Sequence, residues 1–216
     1  MGYDAVIFDK DGVLLDSGDF KWADKIRVKT AEEHGKDISL EQARKLVKID
    51  SMKQLDRFTK KTGLNTDEII EMESRIAERK IEMMKTGEIG LCRHAKNVLE
   101  SLNQKKAVAS NAPRKATKFT LEHFSIGNYF SHIESPRLSS LDNYVSKKKP
   151  SPVMIRKTIK ELEADNPVMV GDSEDDIEAA ENAGIDSIHV DYNGYSDTNP
   201  TYEAEELDEV VDIIKS

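Results

Sequence analysis

Asp9 and Asp11 stand one residue apart in Phe8-Asp9-Lys10-Asp11-Gly12-Val13-Leu14-Leu15-Asp16, directly after the apolar run Ala5 to Phe8. If that run is a strand, side-chain alternation points both carboxylates to one side, and Gly12 lets the backbone turn sharply behind them. Two such charges at ~4 Å repel by about 4 kcal/mol at an effective dielectric of about 20, and a phosphate dianion beside them would add to the repulsion. The pair therefore demands a cation. A hard divalent ion with oxygen ligands fits, and magnesium commonly bridges carboxylates to phosphate. The plainer alternative is a pair of turn aspartates capping the following loop.

Three other segments weigh against that alternative. Val168-Met169-Val170-Gly171-Asp172-Ser173-Glu174-Asp175-Asp176 repeats the arrangement of an apolar run ending in glycine and acids. Asp172, at the tip of the run, is the candidate metal ligand. Asp176 falls in the first turn of a following helix, where the macrodipole favours negative charge and a capping role is also open to it. Ala107-Val108-Ala109-Ser110-Asn111 ends a third run with two hydrogen-bonding side chains. Its junction with a helix near Arg114 offers free backbone N–H groups to an anion, although from this segment alone an ordinary helix entry with Pro113 is the better reading. The fourth segment is Lys147-Lys148-Lys149-Pro150-Ser151-Pro152. A lysine run is usually a solvated face, but prolines that fix the backbone could hold one ammonium in a pocket.

The elements that would position these residues follow from periodicity. Ala5 to Phe8, Ala107 to Ser110, Val168 to Val170 and Ile188 to Val190 read as buried parallel strands. Arg114 to Phe124, Val153 to Leu162 and Asp175 to Ala183 have helical spacing, the last ending at Gly184. Alternating strands and helices predict an open α/β sheet, with the ligand site beyond the carboxyl ends of its strands. Residues 17 to 88 are too many for a simple crossover. Ile26 and Thr30, then Ala43, Leu46 and Val47, then Ile69, Ile70, Ile76, Ile81 and Met84 predict several amphipathic helices inserted there as a cap. A helix from about His94 to Leu102 leads back into the sheet. The tail from Glu203 to Lys215 reads as a last helix packed on it.

Bulk properties narrow the function classes. The 216 residues suffice for one domain and a modest insertion, and a composition of 38% hydrophobic and 34% charged residues describes a real core under a charged surface. A formal charge of -9 repels nucleic acid and anionic lipid, so neither is an expected partner. The lone Cys92 has no intrachain partner, which suits a reducing interior. The N-terminus has no basic start or long apolar stretch, and the expected location is cytoplasmic.

The four segments, in this order, resemble the haloacid dehalogenase superfamily, and within it the phosphoglycolate phosphatase-like and β-phosphoglucomutase-like hydrolases with a helical cap. The resemblance spans Tyr3 to about Val190. It implies a three-layer α/β/α Rossmann-like core with a parallel sheet, formed by residues 1–16 and 89–216, and an inserted α-helical cap at 17–88. It implies a magnesium-dependent phosphatase acting on a small phosphorylated metabolite, phosphoglycolate being one such substrate. Asp9 would be the nucleophile, forming an aspartyl-phosphate, and Asp11 the general acid and then base. Magnesium would be held by the Asp9 carboxylate, the Asp11 backbone carbonyl and Asp172, with Asp176 supporting from one step further out. Ser110 and Asn111 would donate to the phosphoryl oxygens, and Lys149, before Pro150, would neutralise growing charge; Lys147 and Lys148 are the alternatives to it.

Departures from the family pattern are Lys10, expected to point away from the metal, and a longer stretch from Ser135 to Ser146. Dehalogenation is disfavoured because the related dehalogenases lack the second aspartate. Sugar-phosphate mutases of this type carry a cap histidine where this chain has Lys21, which favours hydrolysis. A catalytically idle binding or regulatory module is the reading from another class. His34, His94, His123, His132 and His189 lack ligand spacing, Met72, Met83 and Met84 read as packing, and Asn193-Gly194 reads as a turn. Ser17-Gly18 and Thr86-Gly87 are candidate hinges. Phe20, Lys21, Trp22, Lys25 and Arg27 are candidates for cap residues facing the site, and both monomer and homodimer are open.

Overall fold

The computed structural model describes residues 2–192 and 199–216; the Asn193-Gly194 turn lies outside them. In chain order the elements are β1 Ala5–Phe8, β2 Leu15–Asp16, α1 Lys21–Glu33, α2 Leu40–Val47, α3 Met52–Thr62, α4 Thr66–Thr86, β3 Gly90–Leu91, α5 Ala95–Ser101, β4 Lys105–Ala109, α6 Arg114–His123, a short 3-10 turn, β5 His132–Glu134, α7 Leu141–Lys147, α8 Val153–Leu162, β6 Pro167–Gly171, α9 Glu174–Ala183, β7 Asp186–Val190, β8 Tyr202–Ala204 and α10 Glu209–Lys215. Six strands form one sheet in the order β5-β4-β1-β6-β7-β8, and every pairing in it is parallel.

The sheet is central because its strands are apolar on both faces. Along β1, Val6 and Phe8 join Val108, Val168, Val170, Ile188 and Val190 on one face, against Val98 and Leu99 of α5 and Val210 and Ile214 of α10. Ala5 and Ile7 join Ala107, Ala109 and Met169 on the other, against Ile155 of α8 and Ala179 and Ala180 of α9. Period-two alternation in the strands thus creates the two helical layers. All four β1 side chains are fully buried, and each large aliphatic or aromatic one contributes about 1.5–3 kcal/mol.

Between β2 and β3 lie α1 to α4, with a hydrophobic cluster of their own built on Ala31, Ala43, Leu46, Leu55, Ile69 and Met72. The longest of them, α4, is set at its start by a capping box between Asn65 and Glu68 and at its end by Gly87 at φ 74°. The stretch from Ser135 to Ser146, noted as long, folds in part as α7, whose Leu141, Tyr144 and Val145 complete that same cluster. Two features differ from the sequence expectation. β5 was not foreseen, and the tail opens with β8 on the sheet edge before its helix begins. Both strands are three residues long, too short for a period to register.

Candidate active site

Asp9, Ser110 and Asp172 directly follow β1, β4 and β6, three adjacent strands whose carboxyl ends open on one cavity of about 590 Å³. Its floor is Asp9, Asp11, Ser110, Asn111, Lys149, Asp172 and Asp176; helices α1, α2 and α4 supply the facing wall. Of the five cap candidates, Phe20, Lys21 and Arg27 line the cavity, while Trp22 and Lys25 do not.

Lys149 organises the floor. Its Nζ, buried, donates to Asp9 Oδ1 at 2.5 Å and to Ala109 O at 2.8 Å, and bonds Asp176 Oδ1 as well. Lys148 instead donates from the cavity wall to Val47 O at 2.7 Å, and Lys147 lies outside the lining. Asn111 fixes the lysine's backbone: its Oδ1 accepts from Lys149 N at 2.7 Å and its Nδ2 donates to Lys149 O at 3.1 Å. The carboxamide expected to face phosphate is thus engaged in a clamp. Ser110, almost wholly buried, accepts from Ala112 N at 3.2 Å and keeps its hydroxyl proton for another acceptor.

Carboxylate oxygens of Asp9, Asp172 and Asp176 lie within 4.8 Å of one another, the one such metal-competent group among the described residues. Asp176 Oδ2 accepts from Ser173 N at 3.2 Å and Ser173 Oγ at 2.6 Å. With Lys149 on Oδ1, both Asp176 oxygens are committed, so its helix-capping and site roles coexist. Among the described residues, no other residue donates a hydrogen bond to the Asp172 carboxylate. An all-oxygen set with net negative charge fits a hard divalent cation such as magnesium. The cradle is tight: a Cβ on Gly12, at φ +85°, would sit 1.8 Å from Asp172 Oδ2. Gly12→Ala is therefore expected to lower activity by about 100-fold or more, the scale of a small misplacement near the chemistry; steady-state kinetics at saturating magnesium check it.

Asp11 does not join that trio. Its Oδ1 accepts from Lys10 Nζ at 2.6 Å, Ser17 Oγ at 2.7 Å and Lys80 Nζ at 2.9 Å. Alternation after β1 had suggested that Asp9 and Asp11 point alike and that Lys10 points away from the metal. The strand ends at Phe8, however, and the chain curls so that both Leu14 N and Leu15 N donate to Lys10 O. Lys10 stays clear of the three clustered acids but is fully buried against Asp11. Lys80, on α4, was not anticipated at all.

Burial pushes the Asp9 carboxyl up to about 6, Lys149 pulling it down and Asp176 and Asp11 adding to the rise. Burial, then Asp9 and Asp176, push Asp172 up to about 8. Burial works against ionised Asp11 too, but the Lys10 and Lys80 ammonium groups hold it well below the usual carboxylate range. Burial likewise pushes Lys80 down to about 8 against the pull of Asp11, whereas Asp176 and Asp9 overcome burial and raise Lys149.

These shifts carry a sign. A carboxyl raised from 3.8 to about 8 holds a proton in the folded state that the unfolded chain has lost. Stability from Asp172 is therefore full below pH ~4 and is lost as pH rises toward about 8. In chelator, the thermal midpoint of the native protein is expected to fall between pH 5 and pH 8 relative to that of Asp172→Asn, and saturating magnesium is expected to remove the difference. Calorimetry of both proteins at the two pH values checks it.

The chain belongs to the haloacid dehalogenase-like hydrolase family, which matches residues 6–190. The phosphoglycolate phosphatase of Vibrio parahaemolyticus is 32% identical over 130 residues, 55% of this chain and 54% of that protein. This chain spans about half the length of the phosphoglycolate phosphatases it matches, 54% and 42%. The phosphorylated carbohydrates phosphatase of Thermotoga maritima is 26% identical over 207 residues, 93% of this chain and 91% of that one. In fold alone, the chain resembles CbbY from Rhodobacter sphaeroides in complex with phosphate, at a TM-score of 0.74 and 22% identity over 96% of each chain. No helix among the described residues is long and apolar enough to cross a membrane.

Proposed function

We propose that this protein is a magnesium-dependent phosphatase that hydrolyses a small phosphorylated metabolite through an aspartyl-phosphate on Asp9. One observation carries the reading: a buried carboxylate at the tip of the central strand, held by the Lys149 ammonium at 2.5 Å and grouped with Asp172 and Asp176, at the floor of a cavity of about 590 Å³. The names of the relatives support it, phosphoglycolate among the substrates they suggest. Residues 17–88 act as a cap over a core of 1–16 and 89–216, and a cytoplasmic setting accords with the single free thiol.

In this reading Asp9 Oδ2, which Lys149 leaves open, attacks phosphorus as the bond to the leaving oxygen breaks. Asp11 gives that oxygen a proton, then takes one from the water that splits the acyl phosphate. With Lys10 and Lys80 holding Asp11 ionised, its first task requires that one of these contacts relax as substrate enters. Lys149 and the Ser110 hydroxyl stabilise the charge that gathers on the phosphoryl oxygens. Magnesium, held by Asp9, Asp172 and the Asp11 backbone carbonyl with Asp176 behind them, would offset the repulsion between nucleophile and substrate. Among the described residues no histidine lines the cavity, and Lys21 is exposed and paired with Asp19 at 2.8 Å, so the imidazole of a sugar-phosphate mutase has no counterpart among them.

The test is hydrolysis of an aryl phosphate and of phosphoglycolate with magnesium and then with excess chelator. Turnover that needs the metal is expected. No turnover of any phosphate monoester by the metal-loaded protein would favour the idle binding module.

A further inference from the structure

The cavity is not uniform in charge. Its core end gathers four acids around Lys149 and Lys80, which suits a metal and one phosphate. Its cap end is basic. Arg27 there is consumed, its guanidinium bonded to Asp24 at 3.3 Å and to Glu73 at 2.9 Å, and Tyr144 donates to the second Glu73 oxygen at 3.1 Å. Arg44 meets Asp24 through Nε alone at 3.2 Å. Lys48, exposed on the same wall, has no ion pair among the described residues.

Lys148 is the unusual member. Only 5% exposed, it lines the cavity, yet no carboxylate lies within 4 Å of its Nζ among the described residues. Its hydrogen-bond acceptor is Val47 O, the last carbonyl of α2, and the Tyr144 ring lies 5.4 Å away. Capping α2 is a structural use of one N–H; an ammonium has three. A buried cation without a counter-ion is costly, and burial depresses Lys148, with Glu73 and Asp175 opposing from farther off. The cation is thus placed where an incoming anion would complete it.

We propose that Lys148, with Arg44 and Lys48 at the adjoining end of α2, binds a second anionic group of the substrate. The substrate is then a phosphomonoester whose far end carries a carboxylate or another phosphate. This rests on the phosphatase reading and narrows it to a class of doubly anionic metabolites.

Matched pairs test it: phosphoglycolate against 2-hydroxyethyl phosphate for a carboxylate, and glucose 1,6-bisphosphate against glucose 1-phosphate for a phosphate. The native protein is expected to favour the charged member of at least one pair by about tenfold or more in kcat/KM, largely through KM, as a charge-assisted hydrogen bond allows. Lys148→Met is expected to reduce that ratio about tenfold, while Lys148→Arg keeps most of it. Lys48→Ala, on the exposed rim, lowers the ratio without threatening the fold. No preference in the native protein, or equal losses on both members of a pair, would overturn the assignment and leave Lys148 as a helix cap. Calorimetric binding of the same pairs to Asp9→Asn with magnesium reads the subsite without turnover. Absence of hydrolysis thus counts against the phosphatase, and absence of a Lys148-dependent preference counts against the subsite.

Discussion

Asp9→Asn is expected to lower kcat by at least about 10⁴-fold on every phosphate monoester tested, the scale seen when a covalent nucleophile is removed. The amide keeps the size of the carboxylate but cannot supply the electron pair for attack on phosphorus. The loss should not be one of folding. Burial and the neighbouring acids already push the Asp9 carboxyl up to about 6, so a neutral group there relieves repulsion with Asp172 and Asp176. The variant should keep the native circular dichroism spectrum and a thermal midpoint, in chelator, near that of the parent. Kinetics and melting of one preparation separate loss of chemistry from loss of structure.

Lys149→Met is expected to have the second largest effect and to act on both counts. The lysine joins Asp9, Asp176 and Ala109 O in a buried network, and removing one partner of a buried ion pair costs about 3–5 kcal/mol because the other charge is left uncompensated. Catalysis loses a donor aimed at the developing charge, worth about 10²–10³ in kcat. Arginine should not rescue it, since a planar fork cannot replace a compact ammonium shared among three oxygens. Lys147→Ala, outside the cavity, should have no measurable effect on kcat. Denaturant melts and kinetics on the three variants check these expectations.

Much of the architecture was legible because it rests on wholly apolar buried strands of four or five residues and on helices with clear ends. α8 begins and ends where its spacing places it, and α9 stops at Gly184, which adopts φ 82°. β5 and β8 were not legible: each is a three-residue edge strand with few apolar side chains, recruited by the neighbouring strand rather than by its own pattern. The direction of Asp11 differs from the expectation for a related reason: its carboxylate meets Lys10 and Lys80 instead of joining Asp9. Alternation holds only within a strand, and β1 ends at Phe8, before Asp9.

Lys80 shows what kind of signal was available. Ile69, Met72, Ile76, Ala77, Met83 and Met84 form the buried stripe of α4, and Lys80 and Glu73 fall on that stripe. Charges at inward positions of an amphipathic helix are costly unless they have partners. Glu73 finds Arg27 and Tyr144, and Lys80 finds Asp11 at the cavity. The stripe could therefore have nominated both residues, but their partners lie in distant segments that only the fold brings near. Asn111 illustrates the reverse. Its place after Ser110 suggested a phosphate donor, whereas its carboxamide clamps the Lys149 backbone across 38 residues of chain.

Trapping the covalent intermediate tests the mechanism most directly: native protein, magnesium and substrate, quenched in acid within one turnover and digested for mass spectrometry. One phosphoryl group on the peptide containing Asp9, absent from Asp9→Asn, is expected. Phosphate on a different residue, or steady turnover with no modified peptide at any quench time, would contradict it.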